Sequence, residues 1–279
     1  MPGVNYILGH SDSELRRLMF QAAILRPITE RLLQEAGLVR GMRVLDIGSG
    51  AGDVAMLAAE LVGPTGSVVG VDRSAETLAM ARERAAEAGH RNIKFLEGEA
   101  EDLPSRMEFD FAIGRYVLVH QADPAKLIQA VASHVRPGGA VAFHEVGLYG
   151  EARSLPPVAL YTQVWSWVLE AFNSVMLHPD AGGRMIAHFR AAGLSDPKMF
   201  CDVPVGGGRE SAVYAWIVLT LHNLLPHLEK MGSTSVAEVD IDTLEERLAA
   251  AVIDTNAQIL GPMQFCGWSH CAGGEPRYH

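Results

Sequence analysis

The stretch that most constrains the fold is Val44-Leu45-Asp46-Ile47-Gly48-Ser49-Gly50-Ala51-Gly52-Asp53. There a short apolar run passes into three closely spaced glycines and then into helical periodicity at Val54, Leu57, Ala58 and Leu61. An apolar run of this length suits a parallel strand buried on both faces. Glycines directly after it let the chain turn and let a ligand approach the main chain at the carboxyl end of the strand, where open α/β sheets bind their ligands. The alternation continues downstream. Residues 42–47, 67–71, 93–96, 109–113 and 140–143 are β-rich runs separated by helical patterns. One of these helices stops at Gly89, and another starts at Asp123-Pro124, an N-cap followed by proline, and closes at Pro137-Gly138-Gly139. Strand and helix in strict alternation predict a parallel sheet covered on both faces.

The flanks read differently. Residues 11–36 are helical in pattern, with Ser11 and Glu14 as a capping box and Leu15, Leu18, Met19 and Ala22 on one face. Pro27 is expected to break or restart this helix, and the following turn carries Ile28, Leu32 and Leu33 inward before Gly37. Beyond residue 147 aromatic-rich helices are expected over 157–177, 183–192, 210–228 and 236–260, with strands near 198–203 and 263–268 returning to the sheet. The organisation expected is an N-terminal helical arm over 1–40, then one domain over 41–279 with lid helices at about 155–195 and 209–260.

Composition narrows the ligand. With 33 acidic and 23 basic residues and a net charge of −10, a phosphate-tracking nucleic-acid surface is excluded as the main function. Cys201, Cys266 and Cys271 lack zinc-type spacing, and His178, His188, His222 and His227 show no H-x-x-x-H, so no metal is expected. The longest apolar stretch, 214–225, is too short for a membrane span, and a cytoplasmic location is expected. A dinucleotide turn would read G-x-G-x-x-G, whereas this one is G-x-G-x-G. Asp46 and Asp53 beside it would repel a diphosphate and suit a ligand carrying ammonium and sulfonium charge. Asp72, closing the next strand, is placed to accept both hydroxyl protons of an adenosyl ribose.

The chain resembles the class I S-adenosylmethionine-dependent methyltransferases, in the small-molecule branch that includes the ubiquinone/menaquinone C-methyltransferases. The likeness covers about residues 41–145, through VLDIGSGAGD at 44–53, VVGVDRS at 68–74, GEAEDLP at 98–104, FDFAIGRYVLVHQADP at 109–124 and RPGGAVAFHE at 136–145. It implies a Rossmann-like, seven-stranded, mostly parallel sheet with helical additions. It also implies S-adenosylmethionine as donor, S-adenosylhomocysteine as product, and a small-molecule acceptor methylated on O, N or C, for which the aromatic lid helices suggest an apolar character; a homo-oligomer stays open. By the same resemblance Gly48, Gly50 and Gly52, with Asp46 beside them, surround the methionine part, Asp72 holds the ribose and Arg73 lies by the adenine. Ala100 and Glu101 meet the adenine amino group, with Glu99 where the family often has Asp, and Gly114 and Arg115 present carbonyls to the ammonium. Tyr6, helped by Arg17 or Gln21, would reach the methionine carboxylate.

For the chemistry, His120 after the fourth strand is the candidate general base, with Glu145 at the end of the fifth strand orienting or charging it. Tyr161, Trp165, Trp167, Phe172, Met176, Met185 and Trp216 either line an apolar acceptor pocket or fill a core. Two alternatives remain: a protein that binds S-adenosylmethionine without methyl transfer, and an NAD(P)-dependent oxidoreductase, which the glycine spacing disfavours.

Overall fold

The computed structural model of the chain describes residues 12–104, 107–148 and 154–272, with side chains from Arg17 onward. In chain order, α1 (Asp12–Glu35) leads to β1 (Arg43–Ile47), α2 (Asp53–Val62), β2 (Ser67–Asp72), α3 (Ala75–Glu87), β3 (Ile93–Glu97), β4 (Phe109–Arg115), α4 (Pro124–Ser133) and β5 (Val135–Gly147). Then come β6 (Ser154–Leu155), α5 (Ala159–Val175), α6 (Met185–Ala191), β7 (Lys198–Asp202), β8 (Val205–Gly206) and α7 (Ala212–Met231). The short α8 (Val236–Val239) precedes α9 (Ile241–Asp254), β9 (Gln258–Leu260) and β10 (Met263–His270).

A seven-stranded sheet runs β3-β2-β1-β4-β5-β10-β7. The five strands from β3 to β5 pair in parallel, with Asp46 opposite Gly70 on one side and Ile113 on the other. β10 runs the other way beside β5, since Gly138 and Gly139 at the start of β5 exchange main-chain bonds with Cys271 just past the end of β10. Val44, Leu45, Ala112, Ile113, Val141 and Phe143 are fully buried, as central parallel strands require. The helix starts follow local chemistry. Ser74 Oγ accepts the Thr77 N–H ahead of α3, and Asp123 Oδ1 accepts the Lys126 N–H ahead of α4, with Pro124 in its first turn.

The chain divides into two compact units. One holds the sheet, as Ile28–Val146, Asp180–Cys201 and the chain from Gln264; the other comprises the described residues up to Pro27, Gly147–Pro179 and Asp202–Met263. The second unit has its own hydrophobic core, in which Tyr161, Trp165 and Trp167 of α5 pack with Tyr214, Leu221 and Leu224 of α7 and Leu244, Leu248 and Val252 of α9. A three-stranded antiparallel sheet, β6-β9-β8, closes that unit, and the Tyr161 hydroxyl donates to the Leu260 carbonyl at 2.6 Å.

Three local expectations fail for identifiable reasons. Pro27 sits inside α1 without ending it: a missing N–H costs about 3 kcal/mol or more, and the fully buried Leu25, Leu32 and Leu33 on either side contribute about 1.5–3 kcal/mol each. Pro137-Gly138-Gly139 lies inside β5 and does not close α4, because the register slips between Phe109 and Phe111 and the extra residues of β5 are taken up in a bulge, where a proline is tolerated. The single helix expected over 236–260 is split by Asp240, which adopts φ 46, and its last turn is replaced by β9.

Candidate active site

At the end of β1 the three glycines all take left-handed conformations, with φ 64 at Gly48, 50 at Gly50 and 85 at Gly52. The reasons differ. A Cβ on Gly48 would stand 2.7 Å from Val117 Cγ2, whereas one on Gly50 would meet nothing within 4 Å. Gly50 therefore faces open space. Gly52 needs its freedom because Phe95 and Ala81 pack at 3.0 and 3.2 Å from where a Cβ would be. Gly114, in β4, is required by Phe143, 2.7 Å from its missing Cβ.

Asp72 is tied directly to this turn. Its Oδ2 accepts the Gly50 N–H at 2.9 Å and its Oδ1 accepts the Ser74 N–H at 2.9 Å. Each oxygen keeps a further lone pair for a hydroxyl donor, so the carboxylate is fixed in place and still able to receive a vicinal diol. The Gly50 amide, which a diphosphate would need, is already engaged by a carboxylate.

The two other acids behave differently from the sequence expectation. Asp53 is not a free charge: Arg84 Nη2 pairs with it at 2.6 Å, while Arg84 Nη1 donates to the Ala51 carbonyl at 2.6 Å, so the arginine braces the turn and cancels the aspartate. Asp46 is fully buried, and burial, opposed by Arg115 and assisted by Asp72, pushes its carboxyl up to about 8. It is therefore mostly neutral at pH 7. One of its oxygens, Oδ2, has no hydrogen-bond partner, and the same holds for Ser49 Oγ in the turn and for Glu145 Oε2. Three buried, unpartnered polar atoms thus sit at or just past the carboxyl ends of β1 and β5, a pattern expected where a ligand completes the bonding.

Along the rim, Arg73 Nη1 lies 3.3 Å from Glu99 Oε1, an exposed pair of small energetic weight. Ala100 is buried in the turn Ala100–Asp102 and its carbonyl meets His134 Nε2 at 3.0 Å; Glu101 in the same turn is exposed. Arg115, closing β4, places Nη1 3.4 Å from Thr29 Oγ1. In α1, Arg17 and Gln21 are buried and bonded to each other at 2.7 Å. Tyr6 lies outside the described residues.

His120 ends a single helical turn, Leu118–His120, and burial together with the Arg73 charge lowers its pKa below the usual histidine value, so it is neutral near pH 7. Glu145, fully buried, does not bond the imidazole. Its Oε1 accepts the main-chain N–H of Val117 at 2.8 Å and of Leu118 at 2.9 Å, so it holds the turn that carries His120 through the backbone. Burial raises Glu145 to about 7 against these amide donors. Sequence reasoning missed Arg84, Thr29, Tyr116 and Gln264. The aromatic residues Tyr161, Trp165 and Trp167 are packed in the second unit's core, and Met185 belongs to the sheet unit. Among the described residues no group of three His, Cys, Asp or Glu is placed to hold a metal, and no helix is long and apolar enough to cross a membrane.

Residues 38–170 match a family described as a methyltransferase domain. An arsenite methyltransferase of Halobacterium salinarum is 38% identical over 112 residues, 40% of this chain and 29% of that protein. A ubiquinone/menaquinone biosynthesis C-methyltransferase of Pseudomonas fluorescens is 34% identical over 149 residues, 52% of this chain and 54% of that protein. The chain thus spans about half or less of the length of these curated relatives. The crystal structure of the Bacillus subtilis YcgJ protein superposes with a TM-score of 0.56, at 20% identity, covering 88% of this chain and 99% of that one. With the strand order, the glycine turn and Asp72 in place, residues 38–170 match the methyltransferase-domain family, and the sheet has the Rossmann-like fold seen in class I S-adenosylmethionine-dependent methyltransferases.

Proposed function

We propose that this protein transfers a methyl group from S-adenosylmethionine to a small, apolar metabolite. The observation that carries the reading is Asp72 bonded to the Gly50 amide at the end of β2, with the unpartnered oxygen of Asp46 beside the same turn. When bound, S-adenosylmethionine supplies an electrophilic methyl on a sulfonium. Asp72 receives the ribose hydroxyls through its remaining lone pairs. Asp46 Oδ2, buried and without a partner, accepts from the ligand's ammonium, which favours the ionised carboxylate. The turn at Ala100 and Glu101 borders the adenine, with Arg73 beside it.

In-line displacement needs alignment and a dry site more than it needs acid–base groups. His120, held neutral, is able to take the acceptor's proton, and Glu145 keeps the His120 turn in place. The apolar class of acceptor is supported by the quinone-pathway name of one relative, whereas the other is named for arsenite. The aromatic helices lend it no weight, since they fill a core.

The test is ligand-induced stabilisation. S-adenosylhomocysteine at 100 times its Kd stabilises a protein by about 2.7 kcal/mol, worth roughly 5–10 °C in Tm for a chain of this size. The expected result is that shift with S-adenosylhomocysteine and none with NAD. A shift with NAD alone would reassign the crevice to a redox dinucleotide. Incubation of candidate acceptors with S-adenosylmethionine, read by mass for one added methylene, separates methyl transfer from binding without turnover.

A further inference from the structure

The loop from β3 to β4 leaves the sheet beside Asp72 and is gripped at both ends by one side chain of another element. Asp72 and Glu97 are register partners, and the Gly98 N–H donates to the Asp72 carbonyl at 3.0 Å, so the turn Ala100–Asp102 hangs just beyond the carboxylate that receives the ribose. The turn is closed on itself. The Glu99 N–H donates to Asp102 Oδ2 at 2.9 Å, and the Asp102 N–H donates to the Glu99 side chain. Those bonds shape the turn without fixing where it stands against the sheet, and the exposed pair of Arg73 with Glu99 is too weak to do so.

His134 supplies that tie. It ends α4, where its N–H donates to the Val131 carbonyl at 3.1 Å, and its own carbonyl accepts the Phe109 N–H at 2.8 Å, so its main chain is fixed to the helix and to the start of β4. The buried ring places Nε2 3.0 Å from the Ala100 carbonyl and Nδ1 3.3 Å from the Met107 carbonyl. Ala100, fully buried, opens the loop, and Met107 lies just ahead of β4. Carbonyl oxygens only accept, so each contact needs hydrogen on the nitrogen that faces it; a neutral ring serves one, and the Nε2–H form serves the shorter, to Ala100. His134 stands at the amino ends of β4 and β5, whereas the ligand crevice lies at the carboxyl ends, so it acts on a ligand through Ala100.

Resting on the methyltransferase reading and its placement of the adenine, we propose that His134 is a positioning residue for nucleobase recognition. By holding the Ala100 carbonyl it sets the turn so that the main chain at Ala100 and the Glu101 carboxylate meet the Watson–Crick edge of adenine and reject hypoxanthine. Adenine presents there an amino donor and a ring-nitrogen acceptor. Hypoxanthine presents a carbonyl acceptor and a ring N–H, so a turn set for the first base is mispaired with the second.

The test uses the full chain, titrated calorimetrically with S-adenosylhomocysteine and with S-inosylhomocysteine, which differs only at that edge. Wild type is expected to prefer the adenosyl ligand by at least about tenfold, the worth of one or two hydrogen bonds. Glutamine carries its amide nitrogen about where Nε2 stands, and asparagine about where Nδ1 stands. His134→Gln is therefore expected to keep the preference. His134→Asn and His134→Leu are expected to shrink it by roughly fivefold to tenfold through lost adenosyl affinity, the worth of the Ala100 bond, with S-inosylhomocysteine affinity unchanged. A merely structural role would lower both affinities together or neither. If His134→Leu fails to fold, the glutamine and asparagine variants decide. No preference in wild type, a preference kept in His134→Asn, or equal losses for the two ligands overturns the proposal. Failure of S-adenosylhomocysteine to bind wild type overturns the methyltransferase reading as well, and is seen before any variant is made.

Discussion

A neutral Asp46 in the ligand-free site has a measurable consequence. With its carboxyl at about 8, Asp46 is ~90% protonated at pH 7, so a ligand ammonium that drives it to the carboxylate releases ~0.9 proton per site. The same linkage makes affinity rise ~10-fold between pH 6 and 7 and flatten above pH 8, because below the raised pKa each bound ligand must displace a proton. Asp46→Asn keeps the shape and an oxygen for the Ala55 N–H, and removes the titration. The assay is calorimetry of S-adenosylhomocysteine binding at pH 7 in phosphate and in Tris, whose ionisation enthalpies differ, so that the slope gives protons released. Glu145, raised to about 7, titrates in the same window, and Glu145→Gln run in parallel isolates the Asp46 share. Binding without proton release, or with equal release from wild type and Asp46→Asn, would refute the coupling of Asp46 to the ligand's ammonium.

Other outcomes follow from the same geometry. His120→Ala is expected to lower turnover by at least ~10²-fold while S-adenosylhomocysteine affinity stays the same, and full activity would leave alignment as the whole mechanism. Because Arg73 lowers the His120 pKa, Arg73→Gln is expected to move the acid limb of the kcat/KM profile to higher pH; an unmoved limb dissociates the two. Glu145 is raised in the folded state, so its stabilising share is complete below about pH 4.5 and is lost as pH rises through about 7. Denaturant melts of Glu145→Gln should therefore fall less steeply across that window than those of wild type. Gly48→Ala, with a 2.7 Å clash added to φ 64, is expected to cost more than Gly50→Ala, where φ 50 alone costs about 1–2 kcal/mol. The second variant should fold and lose cofactor binding, which thermal shift with and without S-adenosylhomocysteine reads directly.

What the sequence made legible was local. The strand-to-glycine turn, Asp72 and the parallel order depend on periodicity and on neighbours a few residues apart, and they stand where periodicity puts them. The role of Asp53 was misjudged because its partner, Arg84, lies a helix away and looks like a solvated charge in a linear reading. Glu145 and His120 are both near the strand ends, but only folding shows that the carboxylate turns to the Val117 and Leu118 amides. Gln264 meets His144 and Tyr116 across more than a hundred residues, so no pattern could have joined them; the available signal was a histidine and a glutamate following the apolar run Ala140–Phe143 of β5. In the second unit the aromatic helices were visible, but β6, β8 and β9 are too short for alternation to register.

The little sheet β6-β9-β8 joins stretches of chain around 154, 205 and 259. A unit stitched together from such distant segments cannot be moved between proteins as a cassette, nor cut out by a protease as one fragment.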